Sequence, residues 1–430
     1  MTASRRDPRT ADREVTALRR DLGVADAVGV GLGAIIGAGI FVVSGIAAGI
    51  AGPAFLVSLL VAGVIAAANA LSSAQLAAAF PQSGGTYEYG YQVLGPWPGF
   101  LAGWLFLASK TAAAGTVALG LGEYLAPLLP GIPPRTLAVL AIGAFTMLNR
   151  RGIRRSGKTN LALVAVTVLA LAAYAALALP QVRLERLQPF APHGAGAVLH
   201  AAALLFFAYT GYARIATLGE EVHDPERTIP RAIALTIGIA IALYLAVALA
   251  AVGTVGSERL GAEGAPIAVA AAITLGPGFG LVVRLAAVTA MLGVILSQLL
   301  GLSRMLFAMA RRGDAPAGFA HIDERHGVPD RAVLAVGTLS LIVAVTGALA
   351  AVAAAAALTI LCYYAITNIA ALRMPPERKR FPDAVPLFGL VGCAGLAFFL
   401  DVRTLLIGAA VAIAGVVWRV VLQQSRVSRQ

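Results

Sequence analysis

Apolar residues in this chain fall in long unbroken runs, such as Leu161–Leu179, Ala232–Gly253 and Val333–Leu372, and short polar stretches part them. A run with neither strand alternation nor a one-sided helical stripe, and long enough for a hydrocarbon core of about 30 Å, predicts a membrane-crossing helix. On that criterion there are about twelve spans. They lie near 24–50, 54–80, 98–126, 134–149, 160–179, 197–219, 232–253, 281–310, 332–348, 351–372, 385–400 and 403–422. The least defined boundary is the alanine tract around Gly347–Ala357, which carries no clear turn signal. The run Ala265–Thr274 is too short to cross and predicts a short helix lying over one mouth of the bundle.

Two spans break the apolar pattern. Between Val28 and Phe41 the chain reads VGVGLGAIIGAGIF, and glycine at 29, 31, 33, 37 and 39 makes the helix easy to open at mid-membrane. The sixth span reads LLFFAYTGYARIATLGEE, with polar residues and Gly211 at its centre. Backbone opened at that depth is tolerated only where it lines a cavity or binds a solute. Breaks in spans one and six, five spans apart, are what an inverted repeat of five helices plus five would bring face to face. The other reading is a close-packing seam, since Gly29, Gly33 and Gly37 follow a GxxxG spacing.

Composition sharpens the class. Hydrophobic residues make up 59% of the 430 and charged residues 13%, against about 25% charged in ordinary soluble domains. The net charge of +12 does not signal nucleic acid. The basic residues cluster at Arg5–Arg20, Arg150–Lys158, Arg311–Arg331 and Arg373–Arg380, which fall on one side of the membrane when the spans are counted, and no base-stacking aromatics are interleaved with them. That is a positive-inside pattern, and it predicts an inner cell-membrane protein with both termini cytoplasmic. Cys362 and Cys393 fall inside spans, with neither a disulfide framework nor a metal spacing. No HExxH, GxSxG or phosphate loop is present, so an enzyme is not expected, and neither a cofactor nor a metal is implied. A channel would need a ring of selectivity groups, and paired breaks suit a carrier better. The expected organisation is an arm (1–23), one transporter domain (24–422) and a short tail (423–430). Within the domain, one repeat covers about 24–179, the second about 197–372, and two extra helices about 385–422.

Four collinear motifs carry a resemblance: GAIIGAGIF (Gly33–Phe41), FPQSGGTYEYGYQVLG (Phe80–Gly95), FFAYTGY…EEVHDPERTIPRAI (Phe206–Ile233) and SRMLFAMARRGDAP (Ser303–Pro316). Over nearly its whole length the chain resembles the amino acid–polyamine–organocation superfamily, and in particular its cationic-amino-acid-transporter-like bacterial permeases. The resemblance implies an all-α LeuT-type fold, a five-plus-five inverted repeat with discontinuous helices one and six and two helices appended. It implies a secondary amino acid transporter working by alternating access. The substrate carboxylate would rest on backbone amides at Ile36, Gly37, Ala38 and Gly39, where a half-helix N-terminus favours an anion. The substrate ammonium would rest on carbonyls of Phe207, Ala208 and Thr210. Tyr209 and Tyr212 flank that break as pocket or gate candidates. Glu220 and Glu221 belong to the region that contributes to the inner gate in the family, a solvated interfacial charge cluster being the alternative. Arg214 is a pocket or gate candidate that either pairs with Glu220 or Glu221 or snorkels.

Two departures bear on coupling and specificity. Relatives similar to this chain often carry a lysine in the fifth helix that is held responsible for proton coupling, and the matching position here is Thr167. Where the cationic-type pattern has an acid beside the sixth-helix break, this chain has Ala213 followed by Arg214. Lys110, inside the third span (GWLFLASKTAAAG), is a costly intramembrane cation. It is a candidate for displaced proton carrier, with H+ as the coupling ion, or for contact with the substrate; structural snorkelling is the alternative. Two cations near the site disfavour a cationic substrate. An obligate exchanger and an amine or polyamine carrier remain the alternatives within transport. Sequence leaves the oligomeric state open.

Overall fold

In hydrocarbon a chain must satisfy its backbone hydrogen bonds internally, and this one does so by forming helices almost throughout. The computed structural model describes residues 22–80, 84–152, 157–216 and 222–427. Among them β structure is limited to two isolated bridges, Leu22 with Val222 and Asp323 with Val328. The first half holds α1 (Val24–Ile35), α2 (Ser44–Ala51), α3 (Phe55–Ala79), α4 (Thr86–Tyr89), α5 (Pro96–Leu125), α6 (Pro134–Arg150) and α7 (Gly157–Ala178). The second half holds α8 (Gly194–Phe206), α9 (Ala213–Ala216), α10 (Pro225–Val255), α11 (Ser257–Ala262), α12 (Pro266–Leu275), α13 (Pro277–Arg312), α14 (Asp330–Thr346) and α15 (Leu349–Leu372). Helices α16 (Ala384–Phe398) and α17 (Val402–Val427) follow.

Each expected span has its helix. Eight segments are long and apolar enough to cross a bilayer on their own, the first of them (Val24–Ala79) holding two passes. The spans expected near 134–149, 332–348 and 385–400 are α6, α14 and α16, at 17, 17 and 15 residues shorter than that length but packed in the same bundle. The alanine tract divides at Gly347 and Ala348, whose extended backbone (ψ 148° and 140°) parts α14 from α15. The short run before α13 is helical, as α12.

Packing follows the inverted repeat. Numbering the spans one to twelve, α1 (span one) packs on α10 (span seven), and α8 (span six) packs on α3 (span two). In the same way α5 on α15 (three and ten) is matched by α13 on α7 (eight and five). The short elements obey the same exchange: α4, between spans two and three, touches α15, while α12, between seven and eight, touches α7. Adding five to the first-repeat member of a pair and subtracting five from the second-repeat member reproduces the other pair, which is what a pseudo-two-fold axis in the membrane plane requires. The α16–α17 pair lies outside this scheme, α16 against α3 and α15 and α17 against α15 and α5.

Hydroxyls within the spans are mostly returned to their own helix. Thr116, Thr146, Thr254 and Ser340 each donate to the carbonyl four residues earlier, which keeps a polar side chain satisfied without a partner helix. Other polar groups join spans, among them a pair of side-chain amides. Asn368 of α15 donates through Nδ2 to Asn69 Oδ1 of α3, beside Cys393 of α16, and Gly389 of α16 leaves room for the pair. Asn69→Leu should therefore lower stability by about 1 kcal/mol, in the range of interhelical hydrogen bonds in membranes. The double substitution with Asn368→Leu should cost less than the sum of the two single changes in detergent unfolding.

Candidate functional site

The glycine-laden first span opens where the sequence suggested. Helix α1 ends at Ile35, and Ile36 turns to extended backbone (φ −77°, ψ 105°). Winding resumes as a π-helical turn, Gly39–Val43, that runs into α2. The first amides of a restarting helix have no carbonyl one turn back to bond, so the N–H groups at 37–39 are the orphan donors of α2 and its lead-in. Among the described residues no side-chain oxygen accepts from the amides of Gly37, Ala38 or Gly39.

Span six is interrupted differently. Helix α8 tightens at Phe207 into a 3-10 segment, Phe207–Tyr212, before α9. Tighter winding displaces the carbonyls from α-helical register without exposing a long unpaired stretch. The carbonyls named from the sequence meet hydroxyls: Phe207 O accepts from Thr210 Oγ1 at 3.0 Å and Thr210 O from Tyr364 at 3.4 Å, while Ala208 O lies 3.4 Å from the Tyr244 hydroxyl and at most shares its one proton with the nearer Ile35 O. The last two contacts are long and weak.

Two glycines set how closely the spans approach. A Cβ on Gly39 would lie 2.4 Å from Ala208 Cβ and 2.5 Å from its Cα. A Cβ on Gly211 would lie 2.3 Å from the carbonyl carbon of Ala34 and 2.4 Å from the amide nitrogen of Ile35. Backbone therefore touches backbone on both sides of the first break, and the two interruptions face each other. Gly37 is less confined, its nearest neighbour being Val294 Cγ2 of α13 at 3.1 Å from such a Cβ. Ile36, Gly37, Ala38, Gly39, Phe207, Ala208 and Thr210 are all buried, so the bundle is closed around them.

Tyrosines from neighbouring spans complete the surroundings, and the sequence reading did not single out three of them. Tyr244 of α10 donates to Ile35 O at 3.0 Å, Tyr124 of α5 to Phe41 O at 2.7 Å, and Tyr364 of α15 reaches Thr210. A tyrosine inside an apolar span was the available signal, since a buried hydroxyl must find a partner. Tyr209 turns away from span one and donates to Leu59 O of α3 at 3.2 Å. The Tyr212 ring lies 5.4 Å from that of Tyr364. Arg214 is half-buried in α9. Glu220 and Glu221 lie outside the described residues.

Lys110 is 8% exposed, and among the described residues no carboxylate pairs with it. Its Nζ stands 6.0 Å from the centre of the Phe106 ring. Aromatic contacts of 5.7, 5.1 and 5.4 Å run on from Phe106 through Tyr363 and Tyr364 to Tyr212. The ammonium thus stands at one end of a run of tilted and edge-to-face ring contacts whose other end is the sixth-span interruption. Thr167 bonds Leu163 O at 2.9 Å and, with Gly33, Ile36, Asn160 and Thr289, lines a void with room for about one water molecule behind the first break.

The two remaining motifs meet at one end of the bundle. Asp314, just past α13, accepts from Tyr87 at 2.8 Å and from Tyr91 at 2.5 Å. Arg312 pairs with Glu88 at 2.7 Å, and Arg419 of α17 approaches Asp314 at 3.5 Å. A largely buried carboxylate thereby ties the loop after α3, the end of α13 and the last helix together.

Comparison with known proteins agrees with this geometry. The family model described as amino acid permease matches residues 26–422. An uncharacterised transporter of Mycobacterium tuberculosis is 42% identical over 371 residues, covering 84% of this chain and 83% of that protein. A branched-chain amino acid permease of Bacillus subtilis is 28% identical over 370 residues, 81% of this chain and 80% of that one. The crystal structure of MhsT in complex with L-phenylalanine superposes with a TM-score of 0.61 over 94% of this chain and 99% of that chain, at 15% identity. That likeness fixes the fold as LeuT-type.

Gly39→Leu has no room against Ala208 and should abolish ligand-induced thermal stabilisation and lower the melting temperature. Gly37→Ala meets only a movable valine methyl, so the protein should stay folded, and any loss should appear as weaker binding by calorimetry.

Proposed function

Because this chain belongs to the amino acid permease family, we propose that it carries one small amino acid across the membrane by alternating access, held as a zwitterion between the breaks of spans one and six. The observation that carries this reading is the facing of the two breaks across Gly39–Ala208 and Gly211–Ala34. The carboxylate rests on the amides at 37–39, where orphan donors and the half-helix dipole favour an anion. The Ile36 amide, expected from the resemblance to share in this, is already spent on Leu32 O at 2.8 Å. The ammonium takes the carbonyls of Phe207, Ala208 and Thr210, displacing the weak tyrosine contacts at Ala208 and Thr210. A zwitterion matches both ends at once.

Lys110 serves as the proton carrier in place of the fifth-span lysine replaced by Thr167, and Tyr363, Tyr364 and Tyr212 connect it to the site. What supports this is its burial without an acidic partner among the described residues. Lys110 and Arg214 together disfavour a cationic side chain. A neutral substrate fits. The basic clusters support an inner-membrane orientation with both termini in the cytoplasm.

Purified protein in proteoliposomes should take up one or a few neutral amino acids, and that amino acid should raise its melting temperature. Failure of every common amino acid in both assays would overturn the reading. Lys110→Gln should flatten the pH dependence of uptake while leaving counterflow with internal substrate intact. An unaltered pH profile rejects Lys110 as the proton site, and uptake that needs internal substrate identifies an exchanger instead.

A further inference from the structure

Where the start of α5, the end of α15 and α17 come together, the flank of the bundle opens into a groove of about 420 Å³. That is within the roughly 300–1,000 Å³ usual for ligand sites. Trp97, Leu101, Ile366, Ile369 and Val416 give it an apolar lining, and Arg373 is its one charged residue. The wall is rigidly built. The Arg419 guanidinium lies 4.9 Å from the Trp97 ring and 4.8 Å from the Phe100 ring while Asp314 holds it from behind, and Phe100 stacks on Trp104 at 6.2 Å. Trp104 in turn donates to Val411 O of α17 at 2.8 Å.

Arg373 sits just past the last turn of α15, exposed. Its backbone amide closes that helix, while its guanidinium has no partner among the described residues. Arg419, by contrast, is already engaged. The groove therefore offers one uncommitted cation at its polar end and a hydrocarbon-compatible trough leading away from it. Trp97, 44% exposed at the head of α5, supplies the amphipathic ring that settles at headgroup depth. The flank faces the bilayer, since the apolar stretch of α17 is only 11% buried within the protein.

We propose that this groove is a binding site for an anionic phospholipid. The phosphate pairs with Arg373 beside Trp97, and an acyl chain lies along Leu101, Ile366, Ile369 and Val416. A guanidinium matches phosphate bidentately, and basic pockets between spans are where anionic head groups settle. The occupant touches α5, α15 and α17 together, so it braces the appended last helix against the repeat.

Native mass spectrometry of the full chain, stripped of lipid in detergent and then titrated, tests the assignment. Wild type should retain phosphatidylglycerol about tenfold better than phosphatidylcholine, whose phosphate is offset by its own quaternary ammonium and whose choline cation is repelled by Arg373, a difference of about 1.4 kcal/mol. Arg373→Gln should remove that preference, and Ile369→Trp, which fills the trough, should reduce retention of both lipids. Millimolar inorganic phosphate should not displace the bound lipid. Equal retention of the two lipids by wild type, an unchanged preference in Arg373→Gln, unchanged retention in Ile369→Trp, or displacement by inorganic phosphate would each overturn it.

Discussion

A peptide group without a partner in hydrocarbon is the constraint around which this structure is arranged. The first span leaves helical geometry at Ile36 and restarts at Gly39, so amides are orphaned in the middle of a membrane. Carbonyls near the break are covered from outside the span, Ile35 by Tyr244 and Phe41 by Tyr124. No side chain does the same for the amides of 37–39 among the described residues. The imbalance favours a guest that brings acceptors, and a carboxylate is the simplest. The opposing 3-10 segment of span six supplies carbonyls under weak hydroxyl contacts, which suits a guest whose other end is a donor.

Close approach of the two backbones makes this arrangement possible. Any side chain at Gly39 or Gly211 would wedge the spans apart by contact with main-chain atoms that cannot rotate away. The same spans are held by the bundle's exchange pattern, α1 on α10 and α8 on α3. The crossing is thus fixed by symmetry-related packing on both sides, and the tyrosines of α10 and α15 reach into it from the second half of the chain. At the basic end, Asp314 gathers Tyr87, Tyr91 and Arg419, so the polar loops and the last helix respond together to any displacement of α13.

Much of this was legible in one dimension. The apolar runs gave the spans, because hydrocarbon thickness sets their length. The short helix α12 showed as an apolar run too brief to cross, and the resemblance placed the breaks at Ile36–Gly39 and Phe207–Thr210. Less legible was the form of the sixth-span interruption, since composition does not distinguish an unwound stretch from a tight 3-10 turn. The directions of Tyr209 and Tyr212, equivalent in sequence as flanking aromatics, were equally hidden: one packs towards α3 and the other tilts against Tyr364.

The sequence by itself determined the solvent this chain lives in, the number of crossings and the two places where a helix yields, because each depends on local composition over one span. Tertiary structure alone decided what those places meet. Ala208 against Gly39, the hydroxyls of Tyr124, Tyr244 and Tyr364, the union of Asp314 with two distant loop tyrosines and the groove beside Arg373 all join residues scores of positions apart. Such contacts follow from how spans cross, and crossing geometry is a property of the whole bundle.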